Sequence, residues 1–332
     1  MDPALLLNRV SLHLEARDIP IPAHISEQAR IFLATAGMAP RAVYPTAAEP
    51  EAWRAAAEAW NGRMLPVIEP ILEALPVSVD VLRVGACDVY VATPADWAPG
   101  AAPYAYMDIH GGALVFGAGR FARLITVWRA AALGCRVFGV DYRVPPDHRH
   151  PAALDDCVGV YRYLLERHAP AEIAIGGISA GGNLAAACIL RARDEGLPLP
   201  AVAILMTPEL DLTETGDSFV VNRDIDVALP SPLPEANLLY ADGADLADPY
   251  LSPLFGNFAK GFPPTFLQSG TRDLFLSNTV RMHRALLQAG RQAELHVWEA
   301  MPHAGFGGTS PEDVEMQQAV RDYLVRVAGW AL

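Results

Sequence analysis

Apolar and polar positions change rhythm along this chain, and each change marks a change of structure. Residues 1 to about 75 read as helical. Ser26 is placed to cap a segment running through Ala36, which Gly37 ends, and the alanine-rich stretch Glu51 to Met64 carries Trp53 and Trp60. Pro66, Pro70 and Pro76 punctuate the residues after that stretch. From Val77 the period shortens to two. Val79 to Val84 alternates and Asp88 to Ala92 answers it, which predicts an antiparallel pair at a sheet edge. Strand and helix patterns then take turns. Strands are expected at Tyr104–Ile109, Arg136–Val140, Ile173–Gly176, Ala201–Met206, Thr265–Ser269 and Ala293–Trp298. Helices are expected at Phe121–Leu133, Pro151–Arg167, Ala180–Glu195, Asn278–Ala289 and Pro311–Val327. The alternation predicts an α/β fold, with a mostly parallel sheet of about eight strands and helices on both faces. The stretch from about Leu210 to Lys260 breaks the rhythm with Asp, Pro and Gly, and is too long for an ordinary connection. It is expected to be an insertion that covers a site. The expected division is therefore a helical region over 1–75 and a main domain over 76–332.

Composition narrows the classes of partner. Of 332 residues, 52% are hydrophobic and 19% charged, enough apolar material for a large core. The formal net charge of −13 disfavours nucleic acid and anionic membrane surfaces, which need a basic face. The N-terminal apolar stripe from Leu5 to Leu14 is interrupted by Asn8, Arg9 and His13, and lacks the build of a signal peptide. No apolar run is long enough to predict a membrane span. Cys87, Cys135, Cys157 and Cys188 fit neither a zinc spacing nor a disulfide framework. They read as free buried thiols of a cytoplasmic protein.

One turn carries reactive chemistry. Gly177-Ile178-Ser179-Ala180-Gly181 sits between a predicted strand and an alanine-rich helix. Flanking glycines let the backbone turn sharply and lift the serine hydroxyl off the sheet. A serine hydroxyl is a weak nucleophile until a base, an acid behind the base and donors for an oxyanion surround it. On such a sheet the partners come in the order Ser, Asp or Glu, His. His303 lies just beyond the last strand, and Asp273 lies in the loop after the strand before it. Both are where ligand-facing loops belong, at the carboxyl ends of parallel strands. His110-Gly111-Gly112-Ala113 comes after the strand ending at Ile109, where small residues leave backbone N–H groups uncovered. With the N–H of Ala180 they form a candidate oxyanion site. Asp242, Asp245 and Asp248 succeed no core strand, and Glu299 is too near His303 in sequence to reach behind its ring. The His148-Arg149-His150 pair has no carboxylate or cysteine cluster to complete a metal site, and no metal or cofactor is expected.

Together these segments resemble the bacterial hormone-sensitive lipase family of esterases, within the α/β-hydrolase fold. The match rests on His110 to Ala113 and Gly177 to Gly182. Asp141-Tyr142-Arg143 leading into Pro151 to Asp156, Asp248 to Leu254, Pro263-Pro264 before the strand to Asp273, and Pro302-His303 extend it. It covers roughly Val77 to the C-terminus, and the first seventy-odd residues match in position as a helical cap. The resemblance implies hydrolysis of short- to medium-chain carboxylic esters without a cofactor, with Ser179, Asp273 and His303 as the triad. It implies that His110 holds the oxyanion loop in shape and is not a base, and that a homodimer forms through the edge strand. Ile178 stands where the family usually has Asp, and Ala113 where a third glycine is usual. The first makes the wall beside the serine more apolar; the second keeps its N–H but adds a methyl. Alternatives are a lactone hydrolase with the same triad, an amidase, and a non-catalytic small-molecule receptor. Retention of His303 argues against the receptor.

Overall fold

A computed structural model describes residues 15–16, 18–37, 43–97 and 104–332. The apolar stripe at Leu5 to Leu14 lies outside the described residues.

Eight strands form one sheet in the order β1-β2-β4-β3-β5-β6-β7-β8. They are β1 (Val77–Val84), β2 (Cys87–Pro94), β3 (Ala105–Ile109), β4 (Val137–Asp141), β5 (Ile173–Ile178), β6 (Val202–Met206), β7 (Thr265–Gly270) and β8 (Ala293–Trp298). β1–β2 and β2–β4 pair antiparallel, and every other pair is parallel. The edge hairpin alternates between exposed and half-buried positions along β1, the signature of a strand with one wet face. β3, β6 and β7 are buried throughout, as strands covered on both sides must be.

Period-two alternation divides the interior into two layers. Along β6, Ala203 and Leu205 face one core, while Val202, Ile204 and Met206 face the other. The first core is closed by α4 (Ala152–Leu165), α5 (Ala180–Asp194) and α8 (Leu276–Gln288). The second is closed by α3 (Arg120–Leu133), α9 (Pro311–Ala328) and α1 (Glu27–Ala36). Arg129 of α3, fully buried, joins the second layer to the sheet through Asp108 of β3 at 3.1 Å and Gln317 of α9 at 2.7 Å. The short helices α6 (Ser218–Val221) and α7 (Pro234–Ala241) lie within the connection from β6 to β7.

Ser26 caps α1, its hydroxyl accepting from the Ala29 N–H at 3.1 Å, and Gly37 closes the helix as the sequence predicts. The same hydroxyl donates to Glu312 at 2.7 Å and so ties α1 to the start of α9. The next helix corrects the sequence reading. α2 spans Pro50–Leu72 and runs through Pro66 and Pro70 without ending. Both prolines lie on the exposed side, where the carbonyls they leave without a donor stay open to solvent. All four cysteines are buried and unbridged. Among the described residues no helix is long and apolar enough to cross a membrane.

Candidate active site

β5 ends at Ile178 and α5 begins at Ala180, leaving Ser179 alone at the turn with φ 58° and ψ −123°. A non-glycine residue at such φ is held there by its surroundings at a cost of about 1–3 kcal/mol. The surroundings are visible. Ser179 donates its N–H to Met206 of β6 at 2.9 Å and its carbonyl accepts from Glu209 at 3.2 Å. A Cβ at Gly181 would sit 1.9 Å from the Ile109 carbonyl oxygen, and one at Gly177 would sit 2.3 Å from the Gly181 backbone. Only glycine lets the turn close this tightly.

The loops after β7 and β8 bring the other two predicted residues to the serine. His303 Nε2 lies 2.8 Å from Ser179 Oγ, and His303 Nδ1 lies 3.0 Å from Asp273 Oδ1. Asp273 is fully buried and is itself held. Ser269 Oγ donates to its Oδ2 at 2.6 Å, and the Phe275 N–H to its Oδ1 at 2.9 Å. Phe275 sets its ring edge-on against the imidazole at 4.8 Å. Burial works against a charged His303, but the hydrogen bond and charge of Asp273 outweigh it, with Asp226 and Glu209 adding to them. The ring's pKa is raised above the ordinary histidine value. Ser179 and His303 each keep 8% exposure, so the serine is reachable yet largely shut off from bulk water.

Beyond β3, Gly111 lies against the serine: a Cβ there would be 3.3 Å from Ser179 Cβ. The N–H groups of Gly111, Gly112, Ala113 and Ala180 find no acceptor among the described residues. Ala113 and Leu114 both take positive φ, 52° and 61°, so the alanine occupies the left-handed conformation a glycine would favour. His110 is buried behind this loop. Its Nδ1 lies 2.7 Å from the Gly111 carbonyl and its ring stacks on Tyr142 at 4.1 Å. Burial lowers its pKa, so the ring is neutral and its Nδ1–H donates to that carbonyl.

Two buried acids near the serine carry no sequence signal. Asp226, in the β6–β7 connection, accepts from the His303 N–H at 3.1 and 3.2 Å and from the Leu274 N–H at 2.8 Å. Burial pushes its pKa up to about 6, against the pull of His303. Glu209 comes just after β6; neither of its carboxyl oxygens has a hydrogen-bond partner among the described residues. Burial, aided by Glu214 and opposed by His303, pushes it up to about 8. Spacing offers nothing to pick either residue from its acidic neighbours. The residues set aside in the sequence stay aside. Asp242 pairs with Arg149, Asp245 and Asp248 close local turns, and Glu299 is exposed. His150 packs its ring edge-on against Tyr240, at 5.6 Å between centroids. Among the described residues the one group dense enough for a cation is Asp226, Asp273 and His303. Its carboxylate oxygens are already taken by the N–H and O–H donors named above.

Residues 106–306 match the model of a family described as having the alpha/beta hydrolase fold. The chain is 32% identical over 226 residues to an acetyl-hydrolase of Streptomyces hygroscopicus, covering 68% of this chain and 74% of that one. It is 34% identical over 196 residues to an esterase of Acinetobacter venetianus, covering 58% and 64%. The crystal structure of an esterase E25 superposes with a TM-score of 0.86 at 34% identity, over 96% of this chain and 99% of the other. An esterase from the bacterial hormone-sensitive lipase family gives 0.75 at 29% identity, over 92% and 99%. The chain belongs to the bacterial hormone-sensitive lipase family of α/β-hydrolases. As a member it is a carboxylic ester hydrolase, and its substrate is a small-molecule ester. The esterase resemblance and the eight-stranded α/β sheet expected from the sequence are both borne out.

Proposed function

We propose that this esterase cleaves short- to medium-chain carboxylic esters through an acyl-enzyme, with Ser179 as nucleophile, His303 as base and Asp273 as the acid behind it. The reading is carried by the unbroken run of contacts from Ser179 Oγ to His303 at 2.8 Å and from His303 to Asp273 at 3.0 Å. Ser179 Oγ attacks the ester carbonyl while Nε2 takes its proton. Asp273 keeps Nδ1 protonated and stabilises the imidazolium. The unpaired N–H groups of Gly111, Gly112, Ala113 and Ala180 receive the oxyanion. The imidazolium then protonates the departing alcohol. Water, deprotonated by the same nitrogen, releases the acid and restores the serine.

In this reading residues 1–75 act as a cap, the main domain runs over 76–332, and 210–260 complete the cover. Support comes from one apolar cluster. It joins Trp53 of α2, Phe116 of the oxyanion loop, Phe219 and Leu233 of the insertion, and Phe275 beside the acid. Such walls favour compact apolar acyl groups. A panel of p-nitrophenyl esters of rising chain length, run beside a set of lactones, tests it. A peak at about two to eight carbons is expected, since each further methylene contact is worth less than about 1 kcal/mol. An optimum at long chains, or turnover confined to lactones, overturns the substrate assignment. The half-exposed edge strand β8 offers the surface for the proposed homodimer. A monomer by light scattering at assay concentration rules that out.

A further inference from the structure

The residues that place acid and base sit on two separate loops, after β7 and after β8. Loops of this kind are the mobile parts of an α/β domain. One side chain bridges them. Asp226, fully buried, accepts from the Leu274 N–H at 2.8 Å, next to Asp273, and from the His303 N–H at 3.1 and 3.2 Å. Its remaining acceptor capacity goes to its own turn, through the Ala228 N–H at 2.9 Å and the Leu229 N–H at 3.0 Å. One turn back, Asn222 donates to the Asp273 carbonyl at 2.8 Å, and the Asp226 N–H bonds the Asn222 carbonyl at 3.0 Å. Four main-chain donors converging on one carboxyl favour its charged form. A nitrogen of His303 and an oxygen each of Asp226 and Asp273 lie within 4.8 Å of one another.

We propose that Asp226 is a positioning residue: its carboxylate locks the acid loop to the base loop and sets a second negative charge beside the His303 imidazole. This rests on the reading of Ser179, His303 and Asp273 as the active centre. The charged or titratable groups that act on the imidazole are Asp273, Asp226 and Glu209, and those that act on Asp226 are His303 and Asp273. The second charge matters because the base becomes an imidazolium in the transition state, where an anion nearby is worth most. The main-chain bonds matter because the distance from Nε2 to the serine is fixed by where the base loop sits.

The test compares Asp226→Asn and Asp226→Glu with the wild type, with Asp248→Asn as a surface control. Rates are normalised to active sites titrated with a fluorophosphonate. Asp226→Asn keeps the size but loses the charge and replaces one acceptor oxygen with an N–H₂. Its kcat is expected to fall about 10- to 100-fold with little change in KM, the range for losing charge-assisted hydrogen bonds. Without the anion the imidazolium is less favoured, so the acid limb of kcat/KM moves to lower pH. Asp226→Glu keeps the charge but displaces it: kcat falls and the limb stays near that of the wild type. A normalised kcat within about twofold of wild type for Asp226→Asn, with an unmoved limb, overturns the proposal. So does a loss explained wholly by fewer titratable sites. If Asp226→Asn does not fold, Asp226→Glu carries the test, and wild-type kcat in that variant overturns the proposal. If neither folds, Asp226 is a folding determinant and the proposal fails. Ser179→Ala in the same series separates the two readings. If it stays active, the centre is misassigned. If it is dead while both Asp226 variants match the wild type, only the role of Asp226 falls.

Discussion

The surroundings of Ser179 are built in two halves that obey different rules. The sheet half comprises the turn after β5, the oxyanion loop after β3 and the loops after β7 and β8. Each sits at the carboxyl end of a parallel strand, so chain position fixes spatial position. The covering half comprises α1, α2 and the long connection from β6 to β7. It is held by contacts between residues far apart in sequence: Ser26 with Glu312, Trp53 with Phe116, Asp226 with His303. The sheet half presents reactive atoms, and the covering half shapes and steadies them. Changes in the first should remove rate and spare the fold. Changes in the second should show first in stability, substrate binding or pH behaviour.

The sharpest test of that division is Ser179→Ala. The hydroxyl is the attacking group in the proposed mechanism and contributes little packing. Ester hydrolysis should fall by about 10⁴-fold or more while circular dichroism and melting stay near wild type. More than about one percent of the wild-type rate in the purified variant would remove Ser179 from its role. Asp273→Asn comes next. The amide preserves shape but offers Nδ1 the wrong partner, which favours the unproductive tautomer. A loss of about a thousandfold is expected, mainly in kcat. The contrast is Asp248→Asn, which alters only the turn at Tyr250. If Asp248→Asn abolishes turnover and Asp273→Asn does not, the acid lies elsewhere.

The difference between the halves is also a difference in what the sequence reveals. Gly177 and Gly181 are readable because the constraint they relieve is local: the Cβ clashes arise within the turn and against the adjacent strand. Asp273 and His303 are readable because strand order places them, without reference to any partner. Asp226 and Glu209 have no such marker. Their importance comes from burial and from main-chain donors on other elements, and Asp226 looks in sequence like its neighbour Asp224. The continuation of α2 through Pro66 and Pro70 is hidden for a related reason. Proline weakens a helix locally, and whether the helix survives depends on which face is wet.

The covering half is broken most directly at Trp53. The indole is fully buried, stacks with Tyr44 at 5.9 Å, packs against Phe116 at 5.9 Å, and donates its N–H to the Thr46 carbonyl at 2.9 Å. Trp53→Ala leaves a large void and costs about 3–5 kcal/mol where neighbours cannot close in. Its melting temperature should drop, and KM for longer acyl chains should rise more than kcat falls, because Phe116 loses its backing. A variant with wild-type stability and chain-length profile would show that α2 does not shape the site.

The smallest expected effect probes where the halves meet. Glu209 bonds the Ser179 carbonyl through its N–H, yet its carboxyl lies buried without a partner, near Glu214 and His303. Burial raises the folded-state pKa to about 8, against 4.5 for an unperturbed glutamate. Between those values the native protein holds a proton that the unfolded chain has lost. Stability from this group is therefore complete below the unfolded value and declines as pH rises toward 8. Glu209→Gln imitates the protonated acid at every pH. The melting temperatures of the two proteins should run close together near pH 5 and diverge by a few degrees by pH 9, with the variant the more stable. Glu214, raised to about 7 by the same burial, is relieved of its neighbour's charge in the variant, so the difference belongs to the pair. Differential scanning fluorimetry across that range gives the answer. Parallel curves would mean that Glu209 is ionised in the folded protein, and its influence on the base would then be that of a third fixed anion instead of a neutral acid.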